Sequence, residues 1–233
     1  MNTIVFKNNT TYSESELVNL IKAANPSISD IKIKWLLFEL EKSNHIMRIA
    51  KKRYVTNGVK YDFEISETSK GICTLIFNSY PNLDYVIWES IQLNEWLNFL
   101  LSKNIIFIEV ESDLCGMIFS LLQEKYGNKQ SVLLNPSFEV LTRYIDNNPI
   151  VVKPLFSRSP KGKNSHKISI EKMLVDVFSD KLLVSMIGTN DREEIARGII
   201  KNYTVNRTKV IAYAKRRKCH EVIQHFLLDT YDW

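Results

Sequence analysis

Residues 27–54, SISDIKIKWLLFELEKSNHIMRIAKKRY, decide how this chain is read. Ile33, Leu36, Leu37 and Leu40 recur at i, i+3, i+4 and i+7, which puts four apolar side chains on one face of a helix. Ser29, or Ser27, stands where a helix-capping hydroxyl belongs. The helix should end near Ser43-Asn44. Beyond it Ile46, Met47, Arg48 and Ile49 lead into Lys51, Lys52, Arg53 and Tyr54, so that four cations fall within six positions. A helix followed by a short basic hairpin is the sequence form of a winged helix-turn-helix. The expected contacts to duplex DNA are Ser29, Lys32, Lys34, Trp35 and Lys42 on the helix, with Arg48, Lys51, Lys52 and Arg53 on the wing. Lysines interleaved with the Trp35 indole suit phosphates flanking an apolar contact to a base or sugar. Trp35 could equally pack inward, and Phe38 is expected beneath the wing or against the rest of the chain.

Upstream, Ser13 and Glu16 form a capping-box pair that opens a first helix, with Leu17, Leu20 and Ile21 on its inner face and a stop before Pro26. Downstream, Asn57-Gly58 is a tight-turn signal, and Val59–Ile65 alternates like a half-buried strand. Charge divides the chain in the same place. Of 31 Lys+Arg and 26 Asp+Glu, residues 1–60 hold 10 and 5, so the remainder carries 21 of each and is neutral. The whole surplus of +5 sits on the leading segment, a footprint suited to a polyanion.

From residue 72 strands and helices alternate. Ile72–Phe77, Asp84–Glu89, Asn104–Val110, Ser131–Leu134 and Pro149–Phe156 read as strands. Leu93–Leu101, Ser112–Tyr126 and the segment from Pro136 to Asp146 read as helices. Such alternation implies a largely parallel sheet. The basic, turn-rich loop 157–167 is followed by three helical patterns, Ser169–Leu182, Asp191–Tyr203 and Asn206–Thr230. The expected class is therefore mixed α/β: a winged helix over 1–60, then an α/β domain over 61–233 with its sheet in 61–156 and a helical tail in 168–230.

Several chemistries lack their residues. Three cysteines without a C-x-x-C pair support neither a disulfide framework nor a zinc site. The four histidines do not fall at metal-ligand spacing, seven glycines form no phosphate-cradling loop, and no cofactor is expected. The nearest catalytic constellation is Glu89, Glu109 and Glu111, which a metal-dependent nuclease could use. Its signature lysine, however, does not follow at the alternate position on the strand. No apolar run reaches the ~20 residues of a membrane helix, and MNTIVFKNNTTYS lacks a leader's apolar core, which points to the cytoplasm.

Three stretches, IKIKWLLFELEKSNHIMRIAKKRYV, ISIEKMLVDVFSDK (168–181) and YTVNRTKVIAYAKRRKCHEVIQHFL (203–227), resemble the AbiEi antitoxins of bacterial abortive-infection toxin–antitoxin operons. The wing departs from the family pattern, having Lys51-Lys52-Arg53 where a glycine usually precedes the aromatic. The resemblance implies a non-enzymatic repressor whose N-terminal domain binds inverted repeats upstream of its operon. It also implies a C-terminal domain that counters a nucleotidyltransferase-like toxin. Lys215, Arg216 and Arg217 would be a second anionic contact or a solvated helix face. The rivals are a stand-alone winged-helix regulator whose second domain senses a ligand or oligomerises, and the nuclease.

Overall fold

In a computed structural model of the chain, residues 10–43, 45–56, 58–145, 148–162 and 166–230 are described. Asn44 at the expected helix end, Asn57 of the expected turn, Asp146 and residues 163–165 of the basic loop lie outside them. The fold is mixed α/β, with a mostly parallel four-stranded sheet and a helical C-terminal portion. No helix among the described residues is long and apolar enough to cross a membrane.

The N-terminal elements run strand, helix, helix, hairpin: β1 (Thr11–Ser13), α1 (Glu14–Ala24), α2 (Asp30–Lys42), β2 (Ile46–Ala50) and β3 (Arg53–Thr56). The strands make an antiparallel sheet in the order β1-β3-β2. Both sides of the Ser13–Glu16 capping box are present, and the Ser29 hydroxyl caps α2 by accepting from the Lys32 amide at 3.4 Å. Ile33 and Leu37 are buried with Leu17, Ile21, Ile46 and Tyr54, and Leu36 and Leu40 flank them. This module has its own small core.

The second sheet has the order β4-β5-β7-β6, built from β4 (Tyr85–Glu89), β5 (Ile106–Val110), β6 (Val132–Leu134) and β7 (Ile150–Pro154). β4 runs antiparallel to β5, whereas β5, β7 and β6 are mutually parallel. Central parallel strands are covered on both faces and so read as continuous apolar runs. Against one face, that of Ile87, Ile108 and Val152, pack α3 (Glu67–Ser79) and α4 (Cys115–Tyr126). The other face, that of Trp88, Phe107 and Val151, shares one core with α5 (Phe138–Tyr144) and the five tail helices. These are α6 (Ile170–Ser179), α7 (Lys181–Met186), α8 (Thr189–Asn202), α9 (Arg207–Arg216) and α10 (His220–Thr230), the last lying against α8 and α9.

Several expected elements differ. Ile72–Phe77 is the middle of α3, not a strand. Ser66 caps it, and Ile72 and Ile76 are buried one turn apart; a short apolar run does not by itself separate strand from helix. Leu93–Leu101 is not a continuous helix. A 3-10 turn over Ser90–Glu95 stops where the Asn94 amide bonds both ways with the Leu101 backbone, at 3.2 and 2.7 Å. The side chain thus replaces the helical hydrogen bonds. Val59–Ile65 forms no strand. Ser169–Leu182 is broken at Asp180, whose carboxylate caps α7 through the Leu182 and Leu183 amides. The last helix is broken at Lys218, which has φ 60°.

A buried ion cluster joins sheet to tail. Glu109 on β5 is the direct register partner of Lys153 on β7, 3.6 Å away. Trp88 Nε1 donates at 2.9 Å to the oxygen that faces Lys153, and the other oxygen accepts from Lys172 at 2.7 Å. Lys172 is 1% exposed and also grips Asp176, one turn on along α6. Asp176 in turn accepts from the Tyr213 hydroxyl at 2.9 Å and lies 3.5 Å from Arg217. Lys153 donates to Asp180 at 2.8 Å. Three cations face three carboxylates, so the cluster is neutral.

Burial alone would raise the pKa of Glu109, but the ammonium groups of Lys172 and Lys153 outweigh it and hold the carboxyl below its ordinary 4.5. Asp180, likewise opposed by burial, is held below its ordinary 3.8 by Lys153. A depressed folded-state pKa means stability that is present above the unfolded value and lost as pH falls through the folded one. The denaturant midpoint should therefore stay level from neutral pH to about 5 and fall progressively below 4.5. Lys172→Met removes from Glu109 and Asp176 the buried cation nearest to both, leaves three carboxylates facing two cations, and should cost ~3–5 kcal/mol in urea unfolding at neutral pH.

Candidate nucleic-acid interface

The outward face of α2 follows from its inward one. With Ile33 and Leu37 pointing to the core, residues 31, 35, 38 and 42 point directly away. Ile31 is 82% exposed and Trp35 and Phe38 are each 60% exposed, with Lys34 and Lys42 also in solvent. Phe38 therefore does not pack beneath the wing: it shares the outer face with Trp35. An apolar stripe edged by lysines is the arrangement that presses against base edges while ammonium groups reach phosphates. Lys32 is exposed on the flank of the stripe, and Ser29 is occupied as the cap.

In the hairpin, Ala50 pairs with Arg53 around the two-residue loop Lys51-Lys52, and the register slips between Arg48 and Ala50. Lys52 has φ 58°. This left-handed conformation is costly for any residue with a Cβ and is normally given to glycine. The backbone thus asks for the glycine that the sequence replaces with a charge. The Arg48 guanidinium donates to the Tyr54 hydroxyl at 2.6 Å and lies 5.2 Å from that ring's centroid.

The hairpin is seated on α9. Asn206 caps that helix through the Lys209 amide at 3.1 Å, and its amide group donates to the Arg48 carbonyl at 2.8 Å. The Lys51 amide donates to the Thr208 hydroxyl at 3.2 Å, and the Thr204 amide to the Val59 carbonyl at 2.8 Å. A Cβ on Gly58 would collide with the Thr204 side chain, so glycine permits this close approach.

Between hairpin and helix runs a groove of about 650 Å³, with Ala50, Ile211 and Ala212 as its apolar floor. Lys51 and Arg53 line it from the hairpin, Arg207 and Lys215 from α9. Among the described residues no carboxylate lines it. Cations from the two ends of the sequence, Lys51 and Arg53 from one and Arg207 and Lys215 from the other, thus converge on one concavity, a convergence that sequence spacing could not reveal. Lys215, Arg216 and Arg217 do not act as one face. Lys215 joins the hairpin groove and Arg216 bonds the Ser157 hydroxyl. Arg217 turns inward to Asp176 and Ser179 and covers the Phe156 ring. Its role is in the ion cluster.

The nuclease constellation is not assembled. Glu89 pairs with Ile106 in the register, three residues from Glu109 along β5, and the strand pleat turns the two to opposite faces of the sheet. Glu89 is buried and accepts from the Ser66 amide at 2.7 Å and the Asn104 amide group at 2.5 Å. Glu109 is consumed by lysines, and Glu111 is exposed past the strand end. No group of His, Cys, Asp and Glu among the described residues is placed to hold a metal.

Asn206→Asp keeps the helix cap and removes the donor to the Arg48 carbonyl, whereas Asn206→Ala removes both. The alanine variant should lose ~1 kcal/mol of stability. The aspartate variant should retain it, and both should speed amide exchange at Lys51 relative to the native chain.

No curated protein matches this sequence. The model of DUF6577, a family of unknown function, matches residues 32–232. That span starts within α2 and takes in the hairpin, the sheet and α9, and the chain belongs to that family.

Proposed function

We propose that this chain is a cytoplasmic DNA-binding regulator of the AbiEi antitoxin type. Its strand–helix–helix–hairpin module acts as a winged helix. α2 enters the major groove with Trp35, Lys34 and Lys42, and the hairpin lies along the phosphates with Lys51, Lys52 and Arg53. The single observation that carries the DNA reading is the convergence of Lys51, Arg53, Arg207 and Lys215 on one groove with an apolar floor. A run of fixed cations with an apolar floor suits a phosphodiester backbone, which supplies regularly spaced charge and releases counterions on contact.

The narrower role rests on the resemblance of 168–181 and 203–227 to antitoxin sequences. In that role the protein binds inverted repeats upstream of its own operon, represses it, and opposes a nucleotidyltransferase-like toxin encoded beside it. Expression with the neighbouring gene tests this: growth arrest by that gene alone, relieved by this chain, is the expected result. The absence of any arrest or relief contradicts the antitoxin role while leaving the DNA reading intact.

The wing supplies the sharper test. Replacing Lys51, Lys52 and Arg53 together by alanine should weaken binding to the upstream DNA and flatten its log–log salt dependence by ~0.9 per lost phosphate contact. Lys52→Gly separates charge from fold. It relieves the left-handed strain, leaving stability unchanged or raised by up to ~1 kcal/mol, and yet should weaken binding. A gel-shift titration identical to that of the native chain, for both variants, contradicts the proposal.

A further inference from the structure

A second concavity opens at the carboxyl ends of β6 and β7, about 700 Å³ in volume. The crevice beyond the carboxyl ends of parallel strands is where α/β folds place small ligands, and the volume lies within the usual range for such sites. Lys153 forms part of its floor, and Lys181, Arg216 and Lys218 stand at its sides. The one carboxylate in the lining, Asp180, is already bonded to Lys153 and to the first turn of α7. Among the described residues no ion pair holds Lys181, Arg216 or Lys218. Phe138 and Phe156, each 37% exposed, supply apolar walls.

Cations at the end of α9 also offset that helix's macrodipole. Lys181, however, arrives from the first turn of α7, where no such need exists. Lys218 adds a cost. It holds φ 60° at the position following a helix, where glycine is favoured, and instead brings an ammonium group to the crevice. Backbone strain kept alongside unpaired charge is the pattern of a binding site.

We propose that this crevice binds a nucleotide, its phosphates held by Lys181, Arg216 and Lys218 and its base lying along the phenyl walls. The site is separate from the hairpin groove and does not depend on the DNA reading.

The test is calorimetric titration of the full chain with ATP, with pyrophosphate, and with a duplex oligonucleotide as competitor. ATP should bind at millimolar concentrations or below, and more tightly than pyrophosphate. Arg216→Ala and Lys181→Ala should each weaken it by about tenfold, the worth of one charge-assisted hydrogen bond. Lys218→Gly should weaken ATP binding while the thermal midpoint stays level or rises, a combination that loss of folding cannot produce. No heat with ATP, or affinity unchanged in all three variants, overturns the proposal. Displacement of ATP by the duplex also overturns it, because the crevice would then belong to a nucleic-acid path.

Discussion

Lys172 sits between Glu109 of the central strand and Asp176 of its own helix, and the rest of the molecule is arranged around that buried ammonium group. Taking three cations and three carboxylates out of water is expensive, and pairing returns little more than it costs. The cluster's effect is on geometry. Tyr213 and Arg217 reach it from α9 and its end, Lys153 from β7 and Asp180 from the junction of α6 and α7. An apolar contact tolerates sliding, whereas a hydrogen-bonded ion network does not, so α9 is held at one position against the sheet.

Both cationic concavities follow from that position. The flank of α9 faces the hairpin and completes the groove between them with Arg207 and Lys215, while its end delivers Arg216 and Lys218 to the crevice past β6 and β7. The tetrad Lys215-Arg216-Arg217-Lys218 is divided among three environments: groove, crevice and core. Lys52 and Lys218 show the same choice twice. Each holds a left-handed backbone that glycine would relax, and each keeps a charge there instead.

Much of this was legible in the residues. The α2 stripe, the capping box at Ser13, the four strands of the main sheet and the mixed α/β class follow from periodicity and cap chemistry. α3 was not legible, since GICTLIF suits either a strand or a helix until the Ser66 cap is weighed. The breaks at Asp180 and Lys218 were hidden because the apolar period continues across them. The ion cluster did leave a trace. Glu109 and Lys153 are the single charges in the otherwise apolar strands IFIEV and IVVKP. The lysine is not on Glu109's own strand but directly across on the next one, where spacing along a single strand gives no sign of it. The convergence of hairpin and tail had no local signal at all, being a product of how α9 is held.

The most direct test of this arrangement is the salt dependence of DNA binding by a chain carrying Arg207→Ala and Lys215→Ala, with the hairpin untouched. If α9 completes the hairpin groove, the log–log slope should shrink by ~1.8, the effect of two lost phosphate contacts. A slope equal to that of the native chain would mean that the tail plays no part in the proposed DNA contact, and would contradict the account.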